Sequence, residues 1–125
     1  MKMKINDKEY IYQIGESKYH CAMDVTMKYV GGKWKTVVIW YLREDKKRFA
    51  ELNKLIPQMT ERMLSITLKQ LEDDGIILRE VFTTKPPLKV EYSLTKFGTT
   101  LIPVLNAISK WGREVGESKG EIIES

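Results

Sequence analysis

Apolar and polar residues alternate most cleanly where Val90, Tyr92 and Leu94 interleave with Lys89, Glu91 and Ser93. Period two predicts a strand with one face on a core, and residues 76–82 (IILREVF) supply its partner. The connector, residues 83–88, carries Lys85, Pro86 and Pro87; it is too long for a tight turn, and its prolines stiffen it into an extended spur. Elsewhere apolar positions recur at helical spacing. Trp34, Val37, Val38, Tyr41 and Leu42 predict a core helix over 33–42. Phe49, Leu52, Leu55 and Ile56 share one face of a helix over 49–56 that Pro57 ends. Met63, Leu64, Thr67, Leu68 and Leu71 form the inward stripe of a helix that Thr60 caps and Gly75 closes after Asp74. A shorter helix over 21–29 stops at Gly31-Gly32. Thr95 caps a last helix bearing Leu101, Ile102, Val104, Leu105, Ile108 and Trp111, kinked or broken near Pro103. The polar break at 43–49 holds a short strand at Arg48. Residues 3–5 and 10–14 alternate around Asn6-Asp7, a hairpin signal within an arm over 1–20; the body spans 21–117 and an acidic tail 118–125.

Two helices separated by the turn Pro57-Gln58-Met59 make a helix-turn-helix candidate. With the hairpin and flanking helix, the fold class is mainly α with a small β-hairpin: a winged helix-turn-helix with flanking N- and C-terminal elements. The fourth helix leaves Glu61, Arg62, Ser65, Ile66, Lys69 and Gln70 outward. On a duplex, Arg62, Ser65, Ile66 and Lys69 face base edges, Ile66 suiting a thymine methyl, while Thr60 presents first-turn amides to a phosphate. Arg48, Lys54, Lys85 and Lys89 are candidate phosphate contacts, the lysines at 85 and 89 carried by the spur. The plainer reading is a solvated helix with one stray isoleucine beside an ordinary surface loop.

Composition narrows the function classes. The chain has 125 residues, 42% of them apolar, enough for one domain with its own core. Its net charge is +4, and the middle segments 43–59 and 75–96 each carry +2, as a polyanion-facing surface or an ordinary solvated one would. One cysteine (Cys21) and one histidine (His20), adjacent in sequence, exclude a disulfide framework and leave too few ligands for a zinc site or residues for a hydrolytic triad. No enzyme, metal or cofactor is expected. The stretch VGGKWKT lacks the first glycine of a phosphate loop, and Trp34 stands where Ser or Thr is required. No apolar run reaches the roughly 18 residues of a membrane span, and the charged start is unlike a signal peptide, so a cytoplasmic protein without membrane contact is expected.

In order along the chain, GGKW (31–34), RFAEL (48–52), LKQLEDDGII (68–77), PP followed by VEYSLT (90–95), LIPVL (101–105) and WG (111–112) resemble the HxlR-type winged-helix transcriptional regulators, relatives of the MarR group. The resemblance covers about residues 21–116. It implies a homodimeric bacterial or archaeal repressor or activator of transcription that binds double-stranded DNA through the fourth helix and pairs through its terminal helices. The last helix independently carries more large apolar residues than one small domain covers. Ile102, Leu105, Ile108 and Trp111 are therefore expected at a twofold interface, with packing inside one subunit as the alternative. Two recognition helices would then read a pseudo-palindrome. Cys21 matches the N-terminal cysteine through which some relatives sense oxidants or electrophiles; a thiol near a helix start and His20 is a candidate for that role, and a buried, inert cysteine is the alternative. No residue identifies a small effector ligand. Two departures stand out: Leu88 intervenes between Pro87 and the basic residue of the spur, and the segment before Cys21 is longer than in the family. A winged-helix module that binds proteins rather than specific DNA is the competing function class.

Overall fold

A computed structural model describes residues 3–125, without the side chain of Met3. Two short hairpins open the chain: β1 (Met3–Ile5) with β2 (Lys8–Tyr10), and β3 (Tyr12–Ile14) with β4 (Ser17–Tyr19). The first turn is Asn6-Asp7, both at positive φ (53° and 63°), the conformation that matches the twist of paired strands. The arm thus holds a second hairpin that the alternation at 10–14 had merged into the first, because Ile11 separates β2 from β3.

Helices α1 (Ala22–Val30), α2 (Lys35–Leu42), α3 (Phe49–Leu55) and α4 (Glu61–Asp73) follow. Thr60 caps α4, its Oγ1 accepting from the Met63 N–H at 3.1 Å. Gly75, at φ 74°, ends it in the left-handed region; the Ile76 N–H reaches back to the Leu71 carbonyl at 2.9 Å and the chain leaves directly into β5 (Ile77–Val81). Antiparallel β6 (Val90–Leu94) pairs with β5 in the register Ile77↔Leu94, Arg79↔Tyr92 and Val81↔Val90. The short strand expected at Arg48 is a single bridge one residue earlier: Lys47 and Tyr92 exchange both backbone hydrogen bonds, at 2.9 and 2.8 Å.

The C-terminal helix is broken in two. Thr95 caps α5 (Lys96–Thr99), accepting from the Gly98 N–H at 2.9 Å, and α6 runs Ile102–Lys119. Pro103 lies in the first turn of α6, where its missing N–H would have had no partner, so the break precedes it. α6 continues two residues into the segment assigned to the tail.

Val38, Ile39 and Leu42 of α2 meet Leu52 of α3, Leu64, Leu68 and Leu71 of α4, and Ile76, Ile77 and Leu105 in one core. Two residues expected inward lie outside it. Leu55 and Met63 are exposed, Met63 at 39%. On each helix the buried seam is an i, i+4 row, Leu52–Ile56 and Leu64–Leu68, and these two side chains stand one residue, about 100°, off that row.

Candidate nucleic-acid interface

The turn between α3 and α4 is held from inside. Ile56 and Met59 are buried and joined by the Met59 N–H to Ile56 carbonyl bond at 3.0 Å, which fixes the angle at which α4 leaves the body. The amphipathic stripe then turns Glu61, Arg62, Ser65, Ile66, Lys69 and Gln70 to solvent, with Ile66 48% exposed. Arg48 and Lys54, on and before α3, are exposed as well; the Glu51 carboxylate accepts the Arg48 backbone N–H at 3.0 Å and so starts α3.

Lys69, outward on α4, is held by carboxylates of the same helix. Its ammonium pairs with Asp73 at 3.0 Å and Glu72 at 3.6 Å, one turn further along α4. The hydrogen bond to Asp73, with the charges of Asp73 and Glu72, raises its pKa above the usual lysine value. The side chain therefore leans toward the acidic end of α4, and its charge is locally neutralised.

The wing tip is laced by a threonine as well as confined by prolines. Phe82 N–H donates to the Lys89 carbonyl at 2.7 Å. Thr83 Oγ1 accepts from the Lys89 N–H at 3.2 Å and lies 3.3 Å from the Lys85 and Pro87 carbonyls, to which its hydroxyl can donate. The expected extended spur is thus a bent loop folded around Thr83, with Lys85 and Lys89 exposed on it. At the wing's side Glu91 is neutralised by Lys46 at 3.1 Å, an ion pair that raises the Lys46 pKa. Lys46 and Thr83 were not singled out from sequence, because each acts through a partner 45 or 6 residues away.

At the far side of the domain, Leu105 is 2% exposed, belongs to the core of its own subunit and lines the apolar groove between α2 and α6. Ile102 is half-buried. Ile108 and Trp111 are exposed, Trp111 at 68%, and Ile108 edges that groove with Val37, Trp40 and Tyr41 of α2. Cys21 occupies the N-cap of α1, 9% exposed, with no side-chain cap bond. The Asp24 carboxylate instead accepts the N–H of His20, the residue before the cap, at 2.9 Å. Among the described residues no three potential ligands gather to hold a metal, and no helix is long and apolar enough to cross a membrane.

Comparison with known proteins matches residues 29–120 to the HxlR-like helix-turn-helix family. An HTH-type transcriptional regulator of Methanothermobacter thermautotrophicus is 44% identical over 111 residues, 86% of this chain and 84% of the relative. The HTH-type transcriptional regulator YybR of Bacillus subtilis is 41% identical over 121 residues, 97% of this chain and 90% of its own length, so the likeness extends through the N-terminal arm. The solved structure of the redox regulator HypR in its reduced form superposes with a TM-score of 0.72 at 42% identity, covering 76% of this chain and 93% of HypR. A capped, outward-facing α4 beside a two-stranded wing, matched over three quarters of the sequence, places the chain in the HxlR-like helix-turn-helix family.

Proposed function

We propose that this protein is a transcriptional regulator that binds a pseudo-palindromic operator as a homodimer, with α4 in the major groove and the wing on the flanking backbone. The observation that carries the reading is the exposed face of α4 between the Thr60 cap and the wing, with Arg48, Lys54, Lys85 and Lys89 exposed around it. Arg62, Ser65 and Ile66 meet base edges, and the first-turn amides beside Thr60 meet a phosphate. The pair forms through α6, where Ile108 and Trp111 are uncovered in a single subunit. Its two recognition helices lie about 34 Å apart, one helical turn of DNA. The protein acts in the cytoplasm, where its DNA is. The exposed α4 face and the regulator family favour this reading over a protein-binding module. Selection of bound sequences from random duplexes, followed by footprinting, tests it. A dimer that neutralises about ten phosphates loses roughly 10³- to 10⁵-fold in affinity between 50 and 200 mM salt. Failure to retain duplex DNA even in dilute buffer would end the reading.

The likeness to a redox regulator supports a second reading, modulation through Cys21. Because the chain has one cysteine, an oxidised disulfide must join Cys21 to the same residue of a second molecule or to a small thiol. Its burial means that the first turn of α1 opens before a reagent arrives. Diamide treatment followed by mass spectrometry and operator binding, beside Cys21→Ser, measures this; an unmodified thiol with unchanged binding leaves Cys21 a packing residue.

A further inference from the structure

Arg79 has no part in the interface described so far, yet it stands at its centre. Side chains two apart on a strand share a face, so Ile77, Arg79 and Val81 project together, opposite Leu94, Tyr92 and Val90. Ile77 is buried, which anchors that face on the core and leaves Arg79 on the next step outward. Tyr92, directly across, is fixed by both of its backbone bonds to Lys47. From this position Arg79 lines two clefts at once. One lies against α4, with Ser65, Lys69 and Glu72; the other lies against the start of α3, with Arg48 and the inserted Leu88.

Two cations therefore line the cleft beside α4, and they differ in availability. Lys69 is already neutralised by Asp73 and Glu72. Arg79 makes no ion pair or side-chain hydrogen bond among the described residues, and Arg48, across the other cleft, has no ion pair among them. Arg48 and Arg79 line one cleft, with Glu51 also on its wall, and a phosphodiester offers acceptor oxygens to both guanidinium groups.

We propose that Arg79, together with Arg48, clasps a backbone phosphate of the operator in the cleft between the start of α3 and the wing, and that Lys69, on the neighbouring cleft, does not supply this charge. The inference rests on the DNA-binding reading above. Arg79 sits on the strand that backs α4, not on the groove-facing side of α4 itself, so it meets the sugar-phosphate wall, where a contact positions without reading sequence.

The test compares wild type with Arg79→Gln, Arg48→Gln and Lys69→Gln, measuring duplex affinity from 50 to 200 mM salt on the selected operator and on a random duplex, with thermal melting to verify folding. One phosphate per subunit contributes about 0.9 to the slope of log affinity against log salt. R79Q should flatten the slope by about 2 per dimer, so that its defect at 50 mM exceeds that at 200 mM by about tenfold. The loss should be equal on both duplexes, R48Q should behave alike, and K69Q should keep the wild-type slope. If R79Q fails to fold, R79K, which retains the charge, should keep the slope and lose part of the affinity. An R79Q or R48Q slope equal to wild type, or a loss confined to the operator, overturns the clasp while leaving the regulator reading intact. Wild-type protein that never binds duplex DNA overturns that reading, and the clasp with it.

Discussion

Gly98 gives the sharpest handle on how the wing is joined to the rest of the domain. A Cβ built on it collides with the Ile76 carbonyl oxygen, with the carbonyl carbon at 3.1 Å and Ile76 Cγ2 at 3.3 Å. The obstacle is backbone, so no rotamer change relieves it. The same carbonyl accepts from the Thr95 N–H at 3.0 Å and Thr95 Oγ1 at 3.1 Å, and moving α5 away strains both bonds. Overpacking costs about 1–3 kcal/mol, and each hydrogen bond is worth about 0.5–1.5 kcal/mol net. Alanine in a helix offsets at most about 1 kcal/mol of this relative to glycine. Gly98→Ala should therefore lower stability by about 3 kcal/mol. Urea unfolding at fixed protein concentration reads the effect as a lower midpoint at unchanged slope. Since Ile76 leads into β5, operator affinity should fall as well. Gly116→Ala is the control: nothing lies within 4 Å of its added methyl, and its stability should hold or rise by up to about 1 kcal/mol. A G98A midpoint at or above wild type would refute the proposed packing of α5 on the wing's root.

Thr60→Ala removes the acceptor for the Met63 N–H and should cost about 1 kcal/mol; urea midpoints check this, and operator titration should show weaker binding. Trp111→Glu with Ile108→Glu places charge on the uncovered side of α6, and sedimentation should shift from about 29 kDa, twice the 14.6 kDa chain, to the monomer mass. Lys28 is held to Asp74 at 3.0 Å, and chiefly that hydrogen bond raises its pKa above the ordinary 10.5. A raised lysine stabilises below its unfolded pKa and stops doing so as pH climbs through its folded value. Asp74→Asn should therefore show a deficit below about 1 kcal/mol at pH 8 that closes above pH 10.5, followed by denaturation across that range.

The interface was legible where chemistry and position coincide along one helix. Thr60 announces a cap, and Arg62, Ser65 and Ile66 are outward because the apolar row of α4 leaves them nowhere else to go. Lys69 obeys the same row yet is drawn to Asp73, four residues on; local spacing contained that pair, but the choice between carboxylate and solvent belongs to the folded helix end. Arg79 was invisible for a different reason. Its role needs the register with Tyr92 and the approach of α3 and α4, and none of these is encoded within a few residues of position 79.

Periodicity and punctuation alone determined the helices α2 to α4, the wing strands, the Gly75 turn and the break ahead of Pro103, because each is decided by contacts within about one turn of helix or one residue pair. Which apolar side chains are covered was decided by tertiary structure. Leu105 is sealed inside its subunit while Trp111, two turns along the same helix, is open, and that difference depends on where α6 crosses α2. The charge of the interface divides in the same way: the sequence contains its cations, and only the packed helices and strands determine which of them still lack a partner.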